Sequence, residues 1–345
     1  MGLQFKDLTV RKELSLKDLA NKTLVVDSSN YLYQFLTTIR NRDGTPFTDS
    51  HGNVTSHLIG LFNRTTKMME HNIKLIFVFD GKPPEIKQTT QEKRKAAKHQ
   101  AALQLEQAQK LGNLEDIHKF ASRTVSLTPN MVKEAKELLH YLGLPVIQAP
   151  SEAEAQCAHV VKQGDAYASL SQDYDSLIFG CPLLIRNLSI EGKRKRAGKF
   201  AYQIIKPEIL TLSENLNHLG LDLEQLTVLA ILVGTDYNPG GVKGIGPKTA
   251  LKLLKEFPNN FDALFERVKW VQHYPDLEWK EIFYTIKNLP VEDNYEINFQ
   301  PINEQALINF LVTKHDFSEE RVKLKIKKLL KEKEQQKQQG LSQFF

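Results

Sequence analysis

The stretch KLIFVFD, residues 74–80, is an apolar, β-prone run that ends in an aspartate. A second run of the same kind, TLVVD at residues 23–27, also ends in an aspartate. Continuous apolar runs of this length are typical of strands buried on both faces of a parallel sheet. Three further runs extend the series: LPVIQA, AYASLS and PLLIRNL at residues 144–149, 166–171 and 182–188. The sequence therefore predicts several parallel strands in one sheet.

The segments between these runs carry helical signals, and the clearest lies just before residue 144. Thr128 suits the N-cap, Pro129 suits the first helical position, and Gly143 suits the end of the helix. Alternating strands and helices predict an α/β fold, with a mostly parallel central sheet and helices on both faces. In such folds the ligand crevice lies beyond the carboxyl ends of the strands.

Composition limits the class of protein before any motif is considered. The chain has 345 residues, a formal net charge of +5 and only two cysteines, which suits a polyanionic partner and a reducing compartment. Its longest apolar stretch is too short to cross a membrane, and its start lacks an apolar secretory segment. We therefore expect a soluble intracellular protein.

Seven acidic residues stand beside apolar, buried-looking sequence, where an unpaired carboxylate is costly. They are Asp27, Asp80, Glu152, Glu154, Asp173, Asp175 and Asp236. Local roles are open for several of them: Ser151 and Glu154 fit a capping box, Asp173 and Asp175 fit a turn, and aspartates at strand ends can cap a following helix. Taken together, the clusters fall at one predicted sheet edge. Oxygen ligands without cysteine or clustered histidine then favour Mg²⁺ or Mn²⁺.

Four blocks of sequence carry a family resemblance: VFDGKPPEIK, APSEAEAQCA, QDYDSLIFG and LVGTDYNPGGVKGIGPKTA. They occur in the order found in the XPG-type structure-specific 5′ nucleases, and the chain resembles the flap endonucleases among them, in an archaeal-like form. The short spacing from residue 82 to residue 151 favours this subgroup over the larger repair nucleases. The resemblance implies a PIN/5′-nuclease-like fold. It also implies that Asp27, Asp80, Glu152 and Glu154 serve one Mg²⁺, and that the other three acids serve a second.

The resemblance also assigns residues that select the substrate. Lys87 and Arg94 match a pair on a gateway helix that contacts the scissile phosphate, although a solvated helical face is the plainer interpretation of their spacing. Lys119 and Arg123 match basic residues of a helical cap, where Ser122 replaces a lysine common in relatives. Tyr33 matches a tyrosine on which a terminal base stacks; a half-buried core tyrosine is the alternative.

The stretch VKGIGPKTA, residues 242–250, has the pattern of a helix–hairpin–helix. Its turn and the following helix expose backbone N–H groups that grip a phosphate backbone without reading bases. A structural hairpin is the alternative interpretation. We expect Gly244, Gly246 and Lys248 to contact DNA together with Gly2, and the resemblance adds a possible K⁺ at the turn. KRKR at residues 193–196 resembles a nuclear-localisation patch, but a solvated loop between two strands is the favoured interpretation.

The last eight residues, QQGLSQFF, end a charged tail with two phenylalanines. Exposed aromatic residues of this kind usually mark a binding surface. Gln338, Leu341, Phe344 and Phe345 match the peptide that docks on the replication sliding clamp (PCNA). We expect a flexible tether, a protein that is itself a monomer, and no membrane partner.

These observations predict five regions: a nuclease region at 1–98, a gateway and cap segment at 82–133, a second nuclease region at 116–258, a helical region at 259–330 and a tail at 331–345. The implied activity is a 5′ flap endonuclease and 5′–3′ exonuclease in Okazaki-fragment maturation and DNA repair. We expect the protein to be DNA-associated, in the cytoplasm or nucleoid of an archaeon or in a eukaryotic nucleus. A non-catalytic clamp-bound DNA-binding module and an RNA-directed nuclease of similar fold are the rival hypotheses.

Overall fold

A seven-stranded sheet forms the centre of the protein. The computed structural model describes residues 5–188, 192–195 and 202–342. The strands in these ranges are β1 (Lys12–Glu13), β2 (Thr23–Asp27), β3 (Lys74–Phe79), β4 (Val146–Gln148), β5 (Ala168–Leu170), β6 (Leu183–Arg186), β7 (Gly192–Lys195), β8 (Tyr202–Ile205) and β9 (Glu208–Thr211). The sheet order is β1-β9-β6-β5-β2-β3-β4, while β7 and β8 form a separate antiparallel pair.

Helices cover both faces of this sheet. They are α1 (Ser28–Thr38), α2 (Ser56–Glu70), α3 (Gln88–Lys110), α4 (Leu114–Arg123), α5 (Pro129–Tyr141), α6 (Ala153–Lys162), α7 (Asp175–Ile178), α8 (Leu212–Leu219), α9 (Leu223–Val233), α10 (Pro247–Glu256), α11 (Phe261–Arg267), α12 (Trp270–His273), α13 (Trp279–Lys287), α14 (Glu304–Ile308) and α15 (Glu319–Ser342). Within the described ranges no single helix is long and apolar enough to cross a membrane, and only the bent pair α8–α9 passes that test jointly.

The strands alternate their side chains between two hydrophobic cores, as the period of a β-strand requires. On β2, Val25 packs into a core shared with α6, α9 and α13, whereas Leu24 and Val26 pack into a core shared with α1, α2 and α5. The second core is closed by Leu307, Val322 and other apolar residues from α14 and α15. The carboxyl-terminal helices are therefore integral to the fold.

The predicted α/β architecture is confirmed. β2, β3, β4, β5 and β6 run parallel, and β9 pairs antiparallel with both β6 and β1. Helix α5 begins as predicted, because the Thr128 hydroxyl accepts a hydrogen bond from the Met131 N–H at 3.2 Å and Pro129 follows the cap. The gateway and cap segment at residues 82–133, referred to below as the basic segment, contains α3 and α4, which bury few side chains.

Two local expectations differ from the structure. Residues 193–195 of the KRKR patch lie in strand β7 and not in a loop, because they pair with residues 202–204 of β8. The tail predicted to be flexible from residue 331 continues as helix α15 to Ser342, and its lysine, glutamate and glutamine residues are good helix formers.

Candidate active site

The first two acids follow neighbouring parallel strands, and each also caps a helix. Asp27 ends β2, and its Oδ1 accepts a hydrogen bond from the Asn30 N–H at 3.1 Å at the start of α1. Asp80 follows β3, and its Oδ1 accepts from the Ala153 N–H at 2.7 Å at the start of α6. Because β2 pairs with β3 in register, the two carboxylates lie at the same edge of the sheet.

Helix α6 brings two more acids to this edge. Glu152 occupies the N-cap position, where its side chain makes no capping hydrogen bond, and Glu154 lies in the first turn. The Ser151–Glu154 capping box that the sequence allows is therefore not the arrangement found. Asp80, 73 residues upstream of Ala153, supplies the capping oxygen instead.

Asp173 and Asp175 lie beyond the end of β5, the strand next to β2. Asp173 Oδ2 accepts a hydrogen bond from Asn30 Nδ2 at 2.7 Å, and Asp175 is a buried residue in the first turn of α7. One carboxylate oxygen from each of these aspartates and one from Glu154 lie within 4.8 Å of one another. Three acids, from the start of α6 and from the segment that leads into α7, thus converge closely enough to hold one cation.

Asp236 reaches the same place from the turn after α9. Thr235 and Asn238 stabilise this turn, since the Thr235 hydroxyl donates to Asn238 Oδ1 at 2.7 Å and Asn238 Nδ2 donates to the Ile231 carbonyl at 2.8 Å. Gly234 has a φ of +114°, a backbone conformation that glycine adopts without strain. The turn is therefore stabilised independently of the carboxylate that it presents.

Two cations from the basic segment contact this acidic cluster. Lys87 Nζ lies 2.6 Å from Glu152 Oε1 and 3.1 Å from Asp236 Oδ2, and Arg94 donates to Asp236 Oδ1 at 2.6 Å. Lys87 precedes the first turn of α3 and Arg94 lies within that helix. Both side chains therefore approach the acids from the amino-terminal end of α3, where a spacing of seven residues places them on one face.

All seven acids, together with Lys87 and Arg94, line one cavity of about 790 Å³. Tyr33 and Arg123 also line it. Tyr33 is 39% exposed, and Lys98 Nζ lies 5.4 Å from the centroid of its ring. Tyr33 belongs to neither hydrophobic core, so the core position considered for it is not found. Lys119 does not line this cavity, and its Nζ lies 3.7 Å from Asp116 Oδ1.

The electrostatics of the cavity divide the acids into two groups. Burial, and then the charges of neighbouring acids, raise the pKa values of Asp27 and Glu154 well above their usual range. Burial would also raise the pKa of Asp236, but Lys87 and Arg94 hold it below its usual value. Among the described residues, no lysine or arginine forms an ion pair with Asp27, Asp80, Glu154 or Asp173. Close carboxylates that lack such pairs favour a bound cation.

The donor set suits hard divalent metal ions. All seven candidate ligands offer carboxylate oxygens, and in the described ranges neither a histidine nor a cysteine lines the cavity. Oxygen-only sites favour Mg²⁺, Mn²⁺ or Ca²⁺ over zinc. The residues present therefore fit a divalent cation site.

Two further residues contribute that the sequence alone did not single out. Asn30 contacts both Asp27 and Asp173, and Lys98 lies over the ring of Tyr33. Asn30 stands three residues after a strand-end aspartate, at the position that an N-cap contacts. That spacing is a usable signal for its backbone contact but not for its side-chain contact.

The predicted hairpin lies between α9 and α10. Gly244 has a φ of +85°, and both Gly244 and Gly246 are exposed with open space where a Cβ would stand. Lys248 is exposed in the first turn of α10. The Tyr274 hydroxyl donates to the Gly241 carbonyl at 2.9 Å, which ties the base of the hairpin to the following helices.

Several predicted site residues fall outside the part of the chain whose side chains are described. Gly2, Phe344 and Phe345 lie outside the described residues. Gln338 and Leu341 lie in helix α15, and their side chains are outside the described part of the structure.

An acid-lined cavity at the carboxyl edge of a parallel sheet, faced by cations and accompanied by a helix–hairpin–helix, defines a phosphodiester-cleaving nuclease. Residues 3–101 match the XPG N-terminal domain and residues 143–236 match the XPG I-region. The chain belongs to the flap endonuclease family of XPG-type nucleases.

Individual relatives support this assignment over the full length. The chain is 49% identical to flap endonuclease 1 of Pyrococcus horikoshii, over 100% of this chain and 98% of the relative. It is 47% identical to flap endonuclease 1 of Staphylothermus marinus, over 100% of both chains. The solved flap endonuclease-1 of Methanococcus jannaschii superposes with a TM-score of 0.74 and 39% identity, over 96% of this chain and 98% of that one. The catalytic core of Rad2 in complex with a DNA substrate shares the fold, with a TM-score of 0.71 at 24% identity over 95% of this chain and 100% of that chain.

Proposed function

We propose that this chain is a structure-specific 5′ flap endonuclease and 5′–3′ exonuclease that hydrolyses DNA phosphodiesters with two divalent metal ions, normally Mg²⁺. One observation carries the proposal: seven acids line a single cavity, and Lys87 and Arg94 form ion pairs with two of them. Okazaki-fragment maturation and DNA repair are the processes in which such substrates arise. Mn²⁺ should substitute for Mg²⁺, because both ions prefer oxygen ligands.

The acids would hold the metal ions in two groups, with sharing between them. Asp27, Asp80, Glu152 and Glu154 form one group, and Asp173, Asp175 and Asp236 form the other. When bound, two such ions lower the pKa of an attacking water and stabilise the leaving oxygen of an in-line displacement. No protein nucleophile is required, and none of the described cavity residues is a cysteine or a histidine.

Lys87 and Arg94 would act on the scissile phosphate. A cation already directed into the cavity can stabilise the negative charge that grows on the phosphate in the transition state. Burial alone would lower the pKa of Lys87, but the charges of Glu152 and Asp236 raise it above its usual value. The ammonium therefore stays protonated at neutral pH and remains available for this role.

Other residues would position the DNA. Exposed backbone at Gly244 and Gly246, with Lys248 beside it, suits a duplex phosphate backbone, and K⁺ is a candidate ion at this turn. Tyr33, which lines the cavity, suits stacking with a terminal base. Lys119, Arg123 and Gly2 complete the proposed DNA contacts.

The tail would recruit the replication sliding clamp through Gln338, Leu341, Phe344 and Phe345. We propose that the protein acts as a monomer on DNA and meets the clamp only through this peptide. Deleting residues 338–345 should abolish clamp binding while preserving cleavage of free flap DNA. Unchanged clamp affinity in the deletion variant would contradict this role.

The test of the activity is a labelled 5′-flap duplex incubated with Mg²⁺ and either the parent chain or an Asp175→Ala variant. We expect the parent to cut near the junction and the variant to bind the same DNA without cutting it. Chelation should stop the parent enzyme, whereas a non-catalytic module would bind no divalent ion. Comparing RNA and DNA flaps of one sequence separates the remaining rival, an RNA-directed nuclease.

A further inference from the structure

We propose that Asn30 is a positioning residue for the acidic site: its backbone N–H holds Asp27, and its side-chain amide fixes the orientation of Asp173. The inference rests on the proposed metal-dependent function, which it deepens by one residue. It assigns to Asn30 a role distinct from that of the metal-binding acids.

The geometry places Asn30 between the ends of two adjacent strands. Its backbone N–H donates to Asp27 Oδ1 at 3.1 Å, which is the capping contact of α1. Its side-chain Nδ2 donates to Asp173 Oδ2 at 2.7 Å, across 143 residues of sequence. β2 and β5 are parallel neighbours, so the loops that carry these two acids emerge side by side. A single residue thus contacts an acid from each loop.

An amide suits this place for electrostatic reasons. Asp27 and Asp173 carry like charges in one cavity, and neutral N–H donors to both acids stabilise those charges without adding a cation that would compete with a metal ion. The hydrogen bond engages only one oxygen of Asp173, and a carboxylate has a second oxygen for ligation. Asp173 is also one of the three acids whose oxygens lie within 4.8 Å of one another, so its orientation decides whether this cluster forms.

Other residue types at position 30 could keep the fold but not this function. Alanine would retain the backbone N–H that Asp27 caps, so α1 should form normally. Alanine would lose the side-chain donor, however, and the Asp173 carboxylate would lose the hydrogen bond that orients it. Aspartate is nearly isosteric with asparagine, but when ionised it cannot donate and it adds another negative charge. The two variants therefore separate loss of the hydrogen bond from added repulsion.

The experiment measures Mn²⁺ binding to the full chain by isothermal titration calorimetry, for the parent, Asn30→Ala, Asn30→Asp and a control, Asn63→Ala. Asn63 is an asparagine in α2 outside the acidic cavity, and its Nδ2 donates to the Ile59 carbonyl at 2.9 Å. Removing a group that orients a metal ligand typically lowers metal affinity about 10–100-fold. We expect a loss of this size for Asn30→Ala and none for Asn63→Ala.

Two further readouts separate positioning from general damage. Flap-DNA affinity measured in chelator should be the same for Asn30→Ala and the parent, whereas the turnover number in Mg²⁺ should fall. In chelator, Asn30→Asp should unfold at a lower temperature than Asn30→Ala, because it carries the extra charge. If Asn30→Ala binds Mn²⁺ as tightly as the parent, the positioning role is wrong. If the parent itself binds no Mn²⁺, the proposed function fails instead.

Discussion

Gly81→Ala should damage the active site through backbone displacement alone, without removing any charged group. A Cβ at position 81 would stand 2.2 Å from the Ala149 carbonyl oxygen and 2.5 Å from the Pro150 carbonyl oxygen, where ordinary contacts are 3.4–4 Å. Both obstacles are backbone atoms, so they cannot move aside by changing rotamer. The Gly81 N–H also donates to the Ser151 carbonyl at 2.6 Å, which ties the end of β3 to the segment before α6.

The displacement has a calculable effect on the acids. Relieving the shortest contact requires the two backbones to separate by about 1 Å, and overpacking of this kind costs about 1–3 kcal/mol of stability. Asp80 precedes Gly81 and Glu152 follows Ser151, so the same shift separates two proposed metal ligands. A misplacement of about 1 Å in a catalytic site lowers the rate on the order of 100-fold. We expect that loss in single-turnover cleavage of a 5′-flap duplex with saturating Mg²⁺ at 25 °C.

Gly164→Ala is the matched control for this prediction. Gly164 has a φ of +84° and open space around a new Cβ. Alanine there costs about 1–2 kcal/mol of backbone strain without moving any neighbour. The two variants should lose similar stability in thermal unfolding, while only Gly81→Ala loses cleavage. Equal cleavage by both variants would refute the argument that the acids are held in place by this close backbone approach.

Three further predictions address other parts of the molecule. Burial alone would raise the pKa of Glu134, but His57, whose Nε2 lies 3.3 Å away, brings this pKa below its usual value. The ionised Glu134 therefore contributes stability above the unfolded-state pKa of about 4.3. This contribution is lost as pH falls through the lower pKa of the folded state. Glu134→Gln should flatten the acid side of the stability curve in urea unfolding between about pH 5 and pH 3, and an unchanged curve would contradict it. Lys87→Met should raise Mn²⁺ affinity in calorimetry, because the ammonium contacts oxygens of Glu152 and Asp236 that a metal ion would use; lower affinity would show that Lys87 supports the site. Lys248→Ala should weaken flap-DNA binding and reduce the slope of log affinity against log salt by about one, and an unaltered slope would exclude a phosphate contact.

Much of the fold could be predicted because its signals are local. The run at residues 23–27 forms β2, and the run at 74–80 contains the whole of β3 and the aspartate that follows it, because short continuous apolar, β-prone runs favour buried strands. The start of α5 followed from Thr128 and Pro129 alone. The conformation of the tail was harder to predict, because a charged, glutamine-rich segment suits both a solvated helix and a flexible tether. Its composition does not separate these states.

Contacts across the chain could not be predicted from local sequence. Arg94 reaches Asp236 across 142 residues, and Asn30 reaches Asp173 across 143. The spacing of Lys87 and Arg94 predicts a shared helical face, but the same spacing suits a solvated surface. Only the approach of α3 to the turn after α9 distinguishes the two interpretations. In the same way, the alternation of strands and helices predicts at which edge of the sheet the acids lie, but it does not predict which of their atoms are in contact.

The capping interpretation and the metal interpretation of the acids also prove to be compatible. Asp27 and Asp80 each cap a helix through Oδ1, accepting from Asn30 and Ala153 respectively. One carboxylate oxygen satisfies an N–H at a helix terminus, which would otherwise lack a partner, and the second oxygen remains able to ligate a cation. The capping contact fixes the side-chain rotamer before any cation arrives, which lowers the entropic cost of binding one. An acid that stabilises the fold locally is therefore better suited to ligation, and a local structural role is no argument against a catalytic one.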